Sequence, residues 1–184
     1  AIFVTHDLLG AEEIADRIAI IHKGRIEQVA RPEEIFFNPQ TRAVSEFIGM
    51  PNILRCEQSH ILSSGLIEVD CSGMRIILPY EGNAIRKIAI RPHDIYISNT
   101  KPPGPTLNRY RGKVLEIIPL RSIARIKILV GQNELLAELP IDVLEDLNLE
   151  VGQEVYVIVK LRRLRYLEAE SHGAHFPEEK YIDS

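Results

Sequence analysis

Hydrophobic and polar positions give this chain two textures. Up to about Gly49, short apolar runs alternate with helix-like stretches; beyond it come many brief runs with a two-residue period. Ala1-Ile2-Phe3-Val4 is apolar on both faces and stops abruptly at Thr5-His6-Asp7. That is the pattern of a buried parallel strand delivering a histidine to its carboxyl end. Such a strand needs neighbours on both sides, and the sequence is expected to begin inside a larger unit, with self-association or packing of residues 1–49 as the consequence. Leu8 to Arg17 predicts a helix, with Ala11, Ile14 and Ala15 on one face and Glu12, Glu13 and Asp16 polar. Ile18–Ile21 and Arg25–Ala30 predict a hairpin whose turn uses the positive φ open to Gly24. Pro32, Glu33 and Glu34 start a short helix that Asn38-Pro39 stops; Thr41 caps another through Phe47, and Gly49 ends it.

After Asn52 the pattern predicts strands at Ile53–Cys56, Leu66–Cys71, Arg75–Leu78, Ile85–Ile90 and Ile95–Ser98. The proline-rich stretch Asn99–Pro105 interrupts them as a crossover or exposed loop. Strands resume at Tyr110–Ile118, Ile123–Val130, Leu135–Leu139, Val155–Leu161 and Arg165–Leu167, with a short helix at Pro140–Leu149. Short strands at this spacing indicate a small barrel of the oligonucleotide/oligosaccharide-binding type. The expected fold is therefore mainly β with a small α/β N-terminal piece. Its expected divisions are 1–49, a β-rich domain over 50–170, and a polar, mobile tail over 171–184.

Composition narrows the function classes. Hydrophobic residues are 45% and charged residues 26%, a soluble mixture, and no apolar run approaches the ~20 residues that cross a bilayer. A net charge of −4 and aromatics at 6% argue against a stacking, basic nucleic-acid surface. The two cysteines, Cys56 and Cys71, match no metal spacing, and they read as reduced thiols of a cytoplasmic protein. No metal site is expected.

Five ordered blocks now carry a resemblance. Ile2-Phe3-Val4-Thr5-His6-Asp7, Glu12-Glu13-Ile14-Ala15-Asp16-Arg17-Ile18 and Gly24-Arg25-Ile26-Glu27-Gln28, followed by Arg31-Pro32-Glu33-Glu34-Ile35 and Asn38-Pro39, resemble the end of an ABC-transporter nucleotide-binding domain. Ile90-Arg91-Pro92-His93-Asp94-Ile95, Gly112-Lys113-Val114 and Gly152-Gln153-Glu154-Val155-Tyr156 are similar to the TOBE regulatory domain of importer ATPases, in texture those for molybdate, tungstate and sulfate. The resemblance implies that His6 is the switch histidine that contacts the γ-phosphate in the complete parent. It also implies ATP and magnesium in that parent, a second copy of the subunit, a transmembrane permease and an external binding protein as partners, and a cytoplasmic location held to the cell membrane through the permease. The chain departs from a complete ATPase: no GxxxxGK[ST] loop, Leu-Ser-Gly-Gly-Gln signature or acidic Walker B strand occurs in it. Backbone N–H groups and a lysine must cradle the phosphates, so this chain alone is expected to be inactive and to hold no cofactor.

Two further constellations stay open. Arg91-Pro92-His93-Asp94 reads as a ligand contact or, more simply, as a turn fixed by Pro92 with Asp94 bonding locally. Arg121, Ser122, Arg125 and Lys127, with Lys160, Arg162 and Arg163, have the types that hold a tetrahedral oxyanion; Arg121-Ser122-Ile123-Ala124-Arg125 sits where molybdate-binding relatives carry a Ser-Ala-Arg stretch. The alternatives are a solvated basic face, an acid–base contact with a neighbouring subunit, or a ligand-free interaction module in an importer for a sugar, polyamine or iron.

Overall fold

The structure is a computed structural model; it describes residues 1–62, 65–80, 82, 84–160 and 164–168. The tail expected to be mobile at 171–184 lies outside the described residues, as do Arg162 and Arg163.

The first residues correct the opening expectation. Ala1–Val4 forms no strand, and Ile2, Phe3 and Val4 are 96%, 70% and 90% exposed. No described strand of this chain runs alongside them, and an apolar run without ladder partners gains no sheet. The first helix, α1 (Leu8–Ile14), is shorter than the periodicity indicates. The chain bends at Asp16-Arg17 so that Ile18 can enter β1 (Ile18–His22). β1 pairs antiparallel with β2 (Arg25–Ala30) across Lys23-Gly24, both at positive φ (49° and 74°), the geometry of a two-residue hairpin turn. α2 (Pro32–Phe37) starts on its proline with Glu33 and Glu34 in the first turn. α3 (Arg42–Phe47) is capped by Thr41, whose hydroxyl accepts the Val44 N–H at 3.2 Å. Ile18, Ile20, Ile35, Phe36, Phe37, Val44 and Ile48 form a small core that rests on Ala89 of the next layer.

Among the described residues the β-rich part holds three sheets. β3 (Asn52–Arg55) and β13 (Arg165–Glu168) flank β7 (Ile85–Ile90). β4 (Gln58–Leu62), β5 (Leu66–Cys71) and β6 (Met74–Pro79) form a meander. The largest sheet has the order β11 (Asn133–Pro140), β10 (Ile123–Val130), β9 (Arg109–Pro119), β12 (Glu154–Val159), β8 (Ile95–Ser98), and β11 curls back to touch β8. The curl makes a half-barrel, the expected mainly β architecture. A short helix, α4 (Ile141–Leu147), follows β11.

One core joins these sheets. β10 alternates strictly, with Ala124, Ile126, Ile128 and Val130 buried and Arg125, Lys127 and Leu129 turned outward. Ile67 and Val69 of β5, Ile76 and Leu78 of β6, Ile88 of β7 and Val155 and Val157 of β12 meet them. Each such side chain contributes about 1.5–3 kcal/mol by leaving water. β9 places Gly112 against β10: a Cβ there would sit 2.7 Å from the Ile128 side chain. Any larger residue would push the two strands apart.

Three asparagines join the sheets where strands alone cannot. Asn52 donates to Leu136 O (2.9 Å) and accepts from Leu136 N–H (2.6 Å), so its carboxamide pairs with β11 as a backbone peptide would. Asn108 does the same to Ile77 of β6, donating to its carbonyl and accepting from its N–H, both at 2.8 Å. Asn133 donates to Cys71 O at 2.7 Å. Such bonds satisfy edge groups that would otherwise be stranded beside the core.

Candidate oxyanion turn and its surroundings

The four residues expected to hold an anion separate into two groups. Arg121 and Ser122 lie on the turn between β9 and β10, both exposed. Leu120 N–H bonds Ile123 O at 2.8 Å, and Ser122 O accepts from Ile141 N–H at 3.2 Å, which fixes the turn against the start of α4. Among the described residues Arg121 has no carboxylate within ion-pair distance.

Arg125 and Lys127 sit on the outer face of β10, already engaged. Arg125 Nε meets Glu138 Oε1 at 2.9 Å, directly opposite in the β10–β11 register. Lys127 Nζ lies 3.5 Å from Glu116 and 3.9 Å from Glu134. These pairs are part-exposed and individually worth about 0–1 kcal/mol, but an anion approaching either cation also meets a carboxylate. Lys160 is tied too: its ammonium lies over the Tyr96 ring, 4.4 Å from the centroid. The structure therefore leaves Arg121 and Ser122 as the open cation-and-hydroxyl pair, and it does not bring Arg125 and Lys127 to the turn.

His6 stands exposed in a bend. Thr5 Oγ1 accepts Asp7 N–H at 2.9 Å, closing the local turn, and Asp7 O accepts Ala11 N–H to begin α1. Arg91-Pro92-His93-Asp94 forms a 3-10 turn over Pro92–Asp94. Asp94 is buried and accepts from Arg91 Nε at 2.9 Å, so the motif's charge closes on itself. The sequence indicates the turn but not the bond from Arg91 to Asp94.

Two features escape the sequence. Cys56 and Cys71 lie 15 residues apart yet bring their sulfurs to 3.2 Å. The β4–β6 meander also exposes a polar groove lined by Gln58, His60, Glu68, Asp70 and Arg75. Among the described residues no three His, Cys, Asp or Glu side chains gather as a metal set. No helix among them is long and apolar enough to cross a membrane, which says nothing of β-barrels.

Comparison with known proteins now bears on the curled sheet. Residues 105–165, which span β9 to the start of β13, match the family model described as the TOBE domain. This chain carries a TOBE domain. Over most of its length it is also homologous to the C-terminal parts of ABC importer ATP-binding subunits. It is 28% identical to the molybdate/tungstate import ATP-binding protein WtpC of Pyrococcus abyssi, over 90% of this chain and 46% of that one. It is 31% identical to the sulfate/thiosulfate import ATP-binding protein CysA of Nitrosomonas europaea, over 85% of this chain and 43% of that one. With the spermidine/putrescine import ATP-binding protein PotA of Thermobifida fusca it shares 35% identity, over 65% of this chain and 32% of that one. The TOBE-bearing chain thus spans less than half the length of these relatives. In fold it is similar to the cytoplasmic molybdate-binding protein ModG, solved with molybdate bound: TM-score 0.51, 14% identity, covering 62% of this chain and 94% of that one. At that identity the likeness shows the shared β architecture alone.

Proposed function

We propose that this chain is the C-terminal, regulatory part of the ATP-binding subunit of an ABC importer for a small oxyanion: molybdate, tungstate or sulfate. Its TOBE domain senses that anion where two subunits meet. The observation that carries the sensor reading is the β9–β10 turn, where Arg121 has no carboxylate partner among the described residues and Ser122 is exposed beside it. A tetrahedral oxyanion is held by such a set: a cation, a hydroxyl and turn N–H groups. Arg125 and Lys127 take part only if the anion displaces Glu138 and Glu116.

His6 acts in the assembled subunit as a hydrogen-bond donor to the γ-phosphate of Mg-ATP, the nucleotide being cradled by residues outside this sequence. Partners by this reading are a second copy of the subunit and a membrane permease, with the chain on the cytoplasmic side. The chain alone is expected to turn over no ATP.

Isothermal titration of molybdate, tungstate and sulfate into the purified chain tests the sensor. Heat with at least one anion, lost in Arg121→Ala, supports it; no heat with all three at millimolar concentration removes it. A second reading has its own observation: the outer cations are consumed by Glu116, Glu134 and Glu138. On that reading the TOBE domain is a ligand-free interaction module, and the similarity to an ATP-binding protein named for spermidine and putrescine favours a different cargo. Gel filtration with and without anion separates the two, since only a sensor changes state with its ligand.

A further inference from the structure

We propose that Cys56 and Cys71 form a reversible oxidation site, a dithiol that a hydroperoxide converts to an intramolecular disulfide. The geometry is close to that product. The two sulfurs are 3.2 Å apart. A disulfide holds them at about 2.05 Å, so the sulfurs stand about 1 Å from bonding distance. The two thiols are unequal in the way such a pair needs. Cys56, just past β3, is half-buried and reachable from solvent; Cys71, the last residue of β5, is fully buried. The hydrogen bond with Cys56, and then burial, push the Cys71 thiol well above the usual thiol range. Cys71 is thus the resolving partner and Cys56 the sulfur that meets the oxidant.

The chemistry balances in two steps. The Cys56 thiolate attacks a peroxide oxygen; the S–O bond forms, the O–O bond breaks, and the departing alkoxide or hydroxide takes up a proton. Cys71 sulfur then attacks the Cys56 sulfenic acid; the S–S bond forms, the S–O bond breaks, and hydroxide leaves with the Cys71 proton as water. Two thiols lose two electrons and two protons, and one hydroperoxide becomes an alcohol (or water) and water. An external dithiol reverses the reaction by exchange.

The position gives the bond a structural consequence. Cys71 leads into the Ser72-Gly73 turn, which sits on the turn joining β10 and β11. Gln132 N–H bonds Ser72 O at 3.2 Å, Asn133 bonds Cys71 O, and a Cβ on Gly131 would lie 3.1 Å from Ser72 O. On the other side, Cys56 N–H bonds Arg86 O of β7 at 2.9 Å. The disulfide would tie the meander and the β3–β7 sheet together at their junction with the half-barrel. The inference is independent of the importer reading and needs only the fold.

The test uses the full chain with hydrogen peroxide as the probe. After treatment, free thiols are blocked with iodoacetamide and the chain is mapped without reduction. A Cys56-containing peptide linked to a Cys71-containing peptide within one chain, restored by dithiothreitol, is the expected result. The oxidised chain should also melt higher, by about 5–10 °C for a loop of this size. In Cys71→Ala the oxidant should leave a dimedone-reactive sulfenic acid on Cys56 and no link. Both thiols alkylated after peroxide, Cys56 driven to sulfinic acid with Cys71 alkylated, or links only between chains would each overturn the proposal. The wild-type map decides even if the variant fails to fold.

Discussion

The segment before Gly49 and the β-rich part after it cover their apolar surface differently. The half-barrel turns every second residue of β10 into a core that β12 of the same sheet shares and that β5, β6 and β7 close. The first segment keeps a small core of its own but leaves Ile14, Ile21 and Ile26 exposed at 64–70%, with Ile2 and Val4 more so. Its inner residues lean on Ala89, and Lys87 donates to Phe37 O at 3.4 Å. A strand-like sequence becomes a strand only when something supplies its ladder, and the difference between the two regions is a difference in supply.

The largest effect should come from the barrel core. Ile126→Ala, at a fully buried position, is expected to cost about 2–5 kcal/mol, whereas Ile26→Ala on the exposed hairpin face should stay within about 0.5 kcal/mol. Urea denaturation of both variants checks this; equal losses would erase the contrast. Next comes the stitching. Asn108→Ala removes both bonds to Ile77 and is expected to cost about 1–3 kcal/mol, lowering the urea midpoint of the meander and half-barrel together. If only part of the far-UV signal moved, the two sheets would be separate folding units.

A pH series sharpens the picture from another side. Burial raises the Tyr110 hydroxyl above its ordinary value, and the Cys71 thiol is raised as well. For an acid whose folded pKa is raised, the unfolded chain gives up its proton first. These contributions are therefore intact at neutral pH and fade as pH climbs past the ordinary values of about 8.5 for a thiol and about 10 for a tyrosine. Midpoints should fall on the alkaline side, with the lower onset gone in Cys71→Ala and the upper part reduced in Tyr110→Phe. The smallest effect belongs to Arg42 and Glu46 on α3. Each shifts the other's titration through their 2.7 Å hydrogen bond, yet both are open to water. Arg42→Gln is expected to leave the midpoint within error.

Most strands were legible because their alternation is strong: β5, β9, β10, β11 and β12 fall within a residue or two of where the period puts them. β4 was not. Gln58, Ser59 and His60 are all exposed, so an edge strand of this kind has no apolar face to announce it. Ala1–Val4 erred the other way, since its pattern belongs to a strand with neighbours. At the candidate anion turn, Arg121 and Ser122 were legible by type. The partners of Arg125 and Lys127 depend on register, which places Glu138 and Glu116 opposite them and which residue spacing alone does not give. The cysteine pair and the asparagine bridges join residues 15 to 84 positions apart, and only the closed fold shows them.

The Asn52 side chain has one more consequence. By occupying both hydrogen-bonding groups of Leu136, it plugs the rim of the curled sheet at the spot where a visiting polypeptide would have to dock to extend it. Growth by strand addition is foreclosed at Leu136, and a partner docking at that residue has to use side chains.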